Sequence, residues 1–244
     1  MINSPMLINC STIQEAWLTA LSHLHKNSWR VRNLVVHISG CNIWDDIRSR
    51  VINNFLLNRA KLNPKRVAYT IFPFRLFEIL GDSERLYNEY NKQGGFYDKH
   101  YSGGWGTYFQ RMTAYPGHDG HVNQLKQIIE SIRGSDSVHK ARYTMIIQSP
   151  GGETIRPLGG PCLNYISLQI DNGHVFPVAG LLAVYRNHDF IHRAYGNYWG
   201  LYELLKFICR ETKMDVGPVT CVSSTAYVED YKRATKEFIE NGIS

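Results

Sequence analysis

Gly159-Gly160-Pro161-Cys162-Leu163-Asn164-Tyr165 is the stretch on which the reading of this chain turns. A glycine pair and a proline break the backbone just ahead of an alternating apolar run, so Cys162 stands at the entrance of a predicted strand, Leu163 to Ile170. Working outward, Tyr185-Arg186-Asn187-His188-Asp189-Phe190 follows a second apolar run, then come Gly196-Asn197-Tyr198 and a helix-like segment from Leu201 to Cys209. Ser223-Ser224-Thr225-Ala226-Tyr227 closes the region. A thiol, an arginine, an asparagine and a tyrosine therefore stand at the edges of predicted elements between residues 160 and 230.

The other four cysteines, at positions 10, 41, 209 and 221, lie scattered, with no CxxC pair and no Cys/His cluster at zinc spacing. They read as small buried apolar groups. His188 and His192 lack a matching set of acidic or histidine ligands at helical spacing, so no metal site is expected.

At 244 residues, with 43% hydrophobic and 20% charged side chains, the chain reads as one globular domain over residues 1–244. No apolar run is long enough to span a membrane. Residues 1–10 lack a basic region followed by an apolar core, so no signal peptide is read and cytoplasmic residence is expected. A net charge of +6 favours anionic partners. The basic residues are dispersed, which suits a small anionic ligand better than nucleic acid.

In chain order, Ser11 with Gln14 has the pattern of a capping box opening a helix. A strand follows over Val31 to Ser39, with Arg30 and Arg32 at its entrance, then a helix from Trp44 to Ala60 that Asn63-Pro64 ends. Val67 to Phe72 reads as a short strand, and Pro73 opens a helix that stops at Gly81-Asp82. Two glycine-rich turns bracket the aromatics Phe96, Tyr97, Tyr101 and Trp105 ahead of Tyr108-Phe109-Gln110-Arg111. Val122 to Arg133 is amphipathic, Tyr143 to Gln148 a strand and Val175 to Val184 another, with a bulge or edge signalled by Pro177 and Gly180. A long buried helix over Tyr198 to Lys213, a strand over Val219 to Ser223 and a last helix over Val228 to Asn241 complete an α/β (α+β) pattern of mixed sheet covered by helices.

The order of these motifs resembles the thymidylate synthase superfamily. That family has a Pro-Cys nucleophile opening a strand, an Arg-Ser-x-Asp turn, an Asn eleven residues after the Arg and a His-x-Tyr near the end of the core; Pro161-Cys162, Arg186, Asp189, Asn197 and Tyr227 stand in that order and local spacing. The resemblance implies a thymidylate synthase-like mixed sheet, a homodimer with sheets packed face to face, and folate-dependent transfer of a one-carbon unit to C5 of a pyrimidine nucleoside monophosphate such as dUMP or UMP. The cofactor would be 5,10-methylenetetrahydrofolate. The product would be methyl, or hydroxymethyl if water attacks the exocyclic carbon.

The resemblance also implies roles. Cys162 would add to C6 of the base, a covalent step that activates C5. Arg186 would lie beside the thiol, lower its pKa and hold phosphate oxygens. Asn197, with both a donor and an acceptor, would read the O4 and N3–H edge of uracil, although Asn197 after Gly196 also reads as a helix cap or turn. Tyr108 would stand near the cysteine, Tyr227 and Thr225 at the ribose, and Asp189 at the pterin. Asn187, Arg32 and, from a partner subunit, Arg142 would contact phosphate. Several family residues are replaced here. Asn187 stands for the serine, Thr225 for the histidine and Phe109 for a glycine, and the proton-relay glutamate is missing at Phe74, with Glu78 one turn on reading either as its substitute or as a solvated helix residue. These departures support a rival reading, a nucleotide-binding member of the fold that has lost catalysis and serves as sensor or partner subunit.

Overall fold

A computed structural model describes residues 4–92, 105–135, 142–148 and 160–241. Within them the chain runs β1 (Met6–Cys10), α1 (Ile13–Lys26), β2 (Arg30–Ile38), α2 (Asp46–Asn58), α3 (Pro64–Ile71), α4 (Phe74–Leu80), α5 (Ser83–Lys92) and α6 (Tyr108–Thr113). A short hairpin of β3 (Tyr115–Gly117) and β4 (Gly120–Val122) leads to α7 (Gln124–Arg133) and β5 (Thr144–Ile146). The remainder is β6 (Leu163–Asp171), β7 (Val178–Tyr185), β8 (His188–Asp189), a π-helical turn (Phe190–Ala194), α8 (Tyr195–Thr212), β9 (Asp215–Tyr227) and α9 (Lys232–Asn241).

The expected mixed α/β architecture is present. Seven strands form one sheet in the order β1-β2-β9-β7-β6-β5, with β8 paired to β9. β1 with β2 and β7 with β9 are parallel, and the other pairs on that path are antiparallel. One sheet face sends Leu34, Val36, Leu181, Ala183, Val219 and Cys221 into the core. α1 and α8 cover it with Trp17, Leu21, Leu24, Leu201, Leu204 and Leu205, all fully buried. Each such leucine contributes about 1.5–3 kcal/mol of transfer free energy before conformational entropy is charged against it. The opposite face, with Val35, Leu182, Val184 and Val222, is only half buried, and Leu7 at its edge is 56% exposed. Among the described residues no helix is long and apolar enough to cross a membrane.

Two local expectations are corrected, and a third, the bulge at Gly180, is met. The first helix is capped by Thr12, not Ser11: Thr12 Oγ1 accepts from the Glu15 amide at 3.1 Å, and Glu15 Oε2 reaches back to the Ser11 amide at 3.0 Å. Both pairs fit the capping pattern, but Glu15 adds a negative charge at the helix's positive end. Val67 to Phe72 is not a strand. Asn63 caps the Lys65 amide at 3.0 Å and Pro64 takes the first helical position, so Asn-Pro starts α3 where it reads as a stop. The Gly180 signal corresponds to a register shift between Ala179 and Leu181 against β9, although β7 is an interior strand. The glycine-rich aromatic segment with Phe96, Tyr97 and Tyr101 and the loop leading to Gly160 lie outside the described residues.

α6 is held by a full capping box. Thr107 Oγ1 accepts from the Gln110 amide at 3.2 Å, Gln110 Oε1 accepts from the Thr107 amide at 2.8 Å, and the same Oγ1 meets the buried Tyr90 hydroxyl at 3.0 Å. Thr107→Ala is therefore expected to lower stability by about 1–2 kcal/mol in urea denaturation, and Thr107→Ser by much less.

Candidate active site

The site is built at one end of the sheet. Leu163 faces Tyr185 across β6 and β7, and one step further the Arg186 amide donates to the Cys162 carbonyl at 2.9 Å. Arg186 Nε also donates to the Pro161 carbonyl at 3.1 Å. Gly160 makes the turn with φ +78°, a value that favours glycine, and a Cβ there would come 3.8 Å from the Arg186 guanidinium. Thiol and guanidinium therefore share one corner. β8 continues the lane of β7 along β9 in unbroken register, with Tyr185 opposite Ser223 and His188 opposite Ala226. Asp189 lies opposite Tyr227.

Asp189 then turns the chain. Its Oδ1 accepts from the Ile191 and His192 amides at 3.0 and 2.9 Å, and its Oδ2 meets His192 Nδ1 at 2.9 Å. The π-helical turn that follows feeds α8, which carries Asn197 in its first turn, 2% exposed. The alternative reading of Asn197 as a helix cap is not realised, since helical geometry begins ahead of it.

These residues line one cavity of about 490 Å³. Cys162, Tyr108, Asn187, Asp189, Asn197 and Tyr227 are on its wall, together with His188, His192, Arg193, Asp230 and, from α3, Val67 and Thr70. Arg186 lies at the corner beside it. Arg32 and Thr225 face each other across β2 and β9 at the same end of the sheet but outside the cavity lining. Arg30, rather than Arg32, lies over the Tyr227 ring at 5.4 Å, and it also pairs with Glu229 at 3.2 Å. Arg142 lines a separate cavity of about 240 Å³ with Gln124, Gln127 and Ser131. Glu78 does not reach Cys162. α4 turns Phe77 into the core and leaves Glu78 exposed on a third, small cavity with Glu203, Lys206 and Arg210.

Electrostatics correct a further expectation. Burial raises the Cys162 pKa, Arg186 and Arg193 pull it down, Asp189 pushes it up, and burial wins. The thiol is thus protonated at neutral pH, and the two arginines soften a penalty that they do not overcome. Because alkylation needs the thiolate, the rate of carbamidomethylation at Cys162 is expected to keep rising with pH beyond 9.0, the ordinary thiol value. Arg193→Ala is expected to slow it at neutral pH by about two- to fivefold. Mass spectrometry of the labelled peptide measures both. A plateau below the ordinary thiol value would show instead a stabilised thiolate.

Around the thiol, burial pushes the Tyr108 hydroxyl up to about 12, and the Tyr227 hydroxyl is raised by burial while Asn187 hydrogen-bonds to it. The hydrogen bond that His192 donates to the Asp189 carboxylate raises the His192 pKa above its ordinary value, with Asp230 adding attraction. Burial pushes His188 the other way, down to about 3, so that its imidazole is neutral. His188 Nε2 is 3.0 Å from Asn197 Nδ2 and its Nδ1 is 2.9 Å from Ser223 Oγ. Asn197 Oδ1 is buried and has no hydrogen-bond partner among the described residues. The other four cysteines are buried, as expected, and Cys162 alone among the five is partly accessible.

Three archaeal proteins, each named "Putative thymidylate synthase", match this chain. That of Methanosarcina mazei is 28% identical over 138 residues, 57% of this chain and 59% of the relative. That of Methanosarcina acetivorans gives the same figures, and that of Methanothermobacter marburgensis is 27% identical over 137 residues, 56% of each. This chain is thus distantly similar to proteins that carry the thymidylate synthase name. The match spans 56 to 59% of the length of these curated relatives. No protein-family model matches the chain.

Sequence reasoning missed several of the cavity residues. His188 and His192 were weighed only as metal ligands, and among the described residues no three His, Cys, Asp or Glu side chains are placed to hold a metal ion. Strand alternation carried past Tyr185 points Asn187 inward and His188 to the opposite face, so it gave no signal for His188. Thr70 was lost with the strand reading of α3. Arg193 gave no signal, because a lone arginine in a polar segment reads as surface.

Proposed function

We propose that this protein transfers a one-carbon unit, as methyl or hydroxymethyl, to C5 of a pyrimidine nucleoside monophosphate such as dUMP or UMP. The observation that carries the reading is that the Cys162 thiol shares one cavity with Asn197, whose Oδ1 has no hydrogen-bond partner among the described residues. In it the Cys162 sulfur, once deprotonated, bonds to C6 of the ring, and the electrons of the C5–C6 double bond move toward C5 and O4. Asn197 Oδ1 accepts the ring N3–H, and Tyr227 with Asn187 meets the ribose. Arg186 holds phosphate oxygens and, with Arg193, favours the thiolate. Once C5 has bonded to the one-carbon unit, loss of the C5 hydrogen as a proton and expulsion of the sulfur would restore the C5–C6 double bond and the free thiolate, with hydride from the reduced folate at the exocyclic carbon giving methyl and water giving hydroxymethyl.

5,10-Methylenetetrahydrofolate, when bound, supplies the one-carbon unit. The cavity carries a group that fits it: Asp189 is held ionised by His192 and two backbone amides, and its carboxylate has further lone pairs for the N–H donors of a pterin. The protein acts as a homodimer in this reading, with a second copy covering the half-buried sheet face of Val35, Leu182, Val184 and Val222.

The raised thiol pKa and the distant Glu78 favour the second reading, a catalytically diverged nucleotide binder. Tritium release from [5-³H]dUMP and [5-³H]UMP, with and without methylenetetrahydrofolate, separates the two. Release supports transfer, and the better label names the sugar. Binding by calorimetry without release supports the binder, and absence of both overturns each reading.

A further inference from the structure

Asn197 has two hydrogen-bonding ends, and His188 takes one of them. An amide nitrogen only donates, so in the 3.0 Å contact His188 Nε2 must be the acceptor. The imidazole proton then sits on Nδ1 and is donated to Ser223 Oγ at 2.9 Å. The ring has little freedom to turn. It is 1% exposed, lies parallel to the Tyr185 ring at 4.2 Å and 4°, and meets Tyr198 edge-on at 5.9 Å. The consequence is a buried Asn197 Oδ1, an acceptor with no partner among the described residues, on a side chain that lines the cavity. A buried, unsatisfied acceptor beside a cavity calls for a ligand donor.

We propose that His188 is the positioning residue for base recognition: by accepting from Asn197 Nδ2 it turns Asn197 Oδ1 toward the ligand, so that the site takes a ring that offers an N–H at that edge. The inference rests on the uracil nucleotide reading and adds the residue that orients its base contact. Uracil offers N3–H there, whereas cytosine offers a lone pair and would set two acceptors against each other without water. To accept cytosine, the site would have to make three linked changes. The Asn197 amide would flip, the imidazole proton would move to Nε2, and the Ser223 hydroxyl would turn to donate to Nδ1. Each is chemically allowed, but they must occur together around a ring clamped by Tyr185 and Tyr198. A site built to bond an N–H discriminates strongly against the analogue that lacks it, because its own buried group is then left unpaired.

Calorimetry of the full chain with dUMP, UMP, dCMP and CMP tests this, in wild type and in His188→Phe. Phenylalanine keeps a flat ring on Tyr185 and has no lone pair to offer. Wild type is expected to favour the uracil nucleotides by about tenfold or more, and His188→Phe, folded by circular dichroism, to lose about tenfold of that preference by weakening the uracil side. A folded variant that keeps the preference overturns the role of His188 and leaves the nucleotide reading standing. Wild type that binds cytosine nucleotides equally or better overturns it too, and wild type that binds none of the four overturns the nucleotide reading along with it. Should His188→Phe not fold, the ¹⁵N spectrum of the wild-type imidazoles decides. A neutral ring protonated at Nδ1, unchanged through the neutral pH range, is expected, and a proton on Nε2 overturns the proposal.

Discussion

Cys162→Ala is expected to reduce C5 tritium release by about a thousandfold or more while leaving the melting temperature within the range of an ordinary surface substitution. The two halves of that expectation have separate causes. The structural tie at this position is made by backbone: the Cys162 carbonyl accepts from the Arg186 amide at 2.9 Å, and an alanine carbonyl does the same. The sulfur itself stands half-buried on the cavity wall, where its removal enlarges a space that already exists and creates no void in the core. The chemistry has no such substitute. Without the thiol, no group on that wall can add to C6 and leave again, and Cys162→Ser fares little better because its hydroxyl ionises far less readily at the same burial. Turnover and thermal unfolding are read on the same preparation, and intact-protein mass spectrometry seeks a nucleotide adduct in wild type only. Full release in a folded Cys162→Ala protein would remove the covalent step. Cys221 supplies the contrast. It is fully buried on β9, its thiol is held protonated by burial, and substituting it is expected to affect stability before it affects activity.

The part of the site that was legible in the sequence is the part written as local spacing. Arg186, Asp189 and Asn197 could be set in order because β8 extends the lane of β7 without a slip and the Asp189 turn runs directly into α8. Short-range order of this kind survives in a one-dimensional reading. Features decided across the fold did not. Glu78 was the nearest acid in sequence to an expected carboxylate, yet one turn of helix aims it at solvent and a different cavity. The direction of the thiol's pKa was misread because a sequence shows neighbouring charges and hides burial, which here is the larger effect. Val67, Thr70 and Ile71 are β-branched and look like a strand, while Asn63 and Pro64 start a helix; the cap won because α3 also finds a partner helix to pack against.

That partner contact leads to the second large expected effect. Gly196→Ala and Gly200→Ala, one turn apart on the same face of α8, are each expected to lower stability by about 1–3 kcal/mol, or several degrees in melting temperature. Helix propensity argues the opposite way, since alanine in place of glycine inside a helix gains about 1 kcal/mol. Geometry decides against it. A Cβ on Gly196 would stand 2.6 Å from Val67 Cβ and 2.7 Å from the Pro64 carbonyl, and one on Gly200 would stand 2.7 Å from the Ala68 carbonyl and 2.9 Å from Ile71 Cβ. These are backbone atoms and first side-chain carbons, which no rotamer change can move aside, so α3 and α8 must separate. Separation also reaches the site, because α8 carries Asn197 next to Gly196, and α3 lends Val67 and Thr70 to the same cavity. Gly196→Ala is therefore expected to weaken nucleotide binding as well as stability, whereas Gly200→Ala, a turn further along, is expected to act mainly on stability. Chemical denaturation with calorimetry on each variant measures both effects. A rise in stability for either one would mean that the helices can part without loss, and the close α3–α8 crossing would then no longer account for glycine at these two positions.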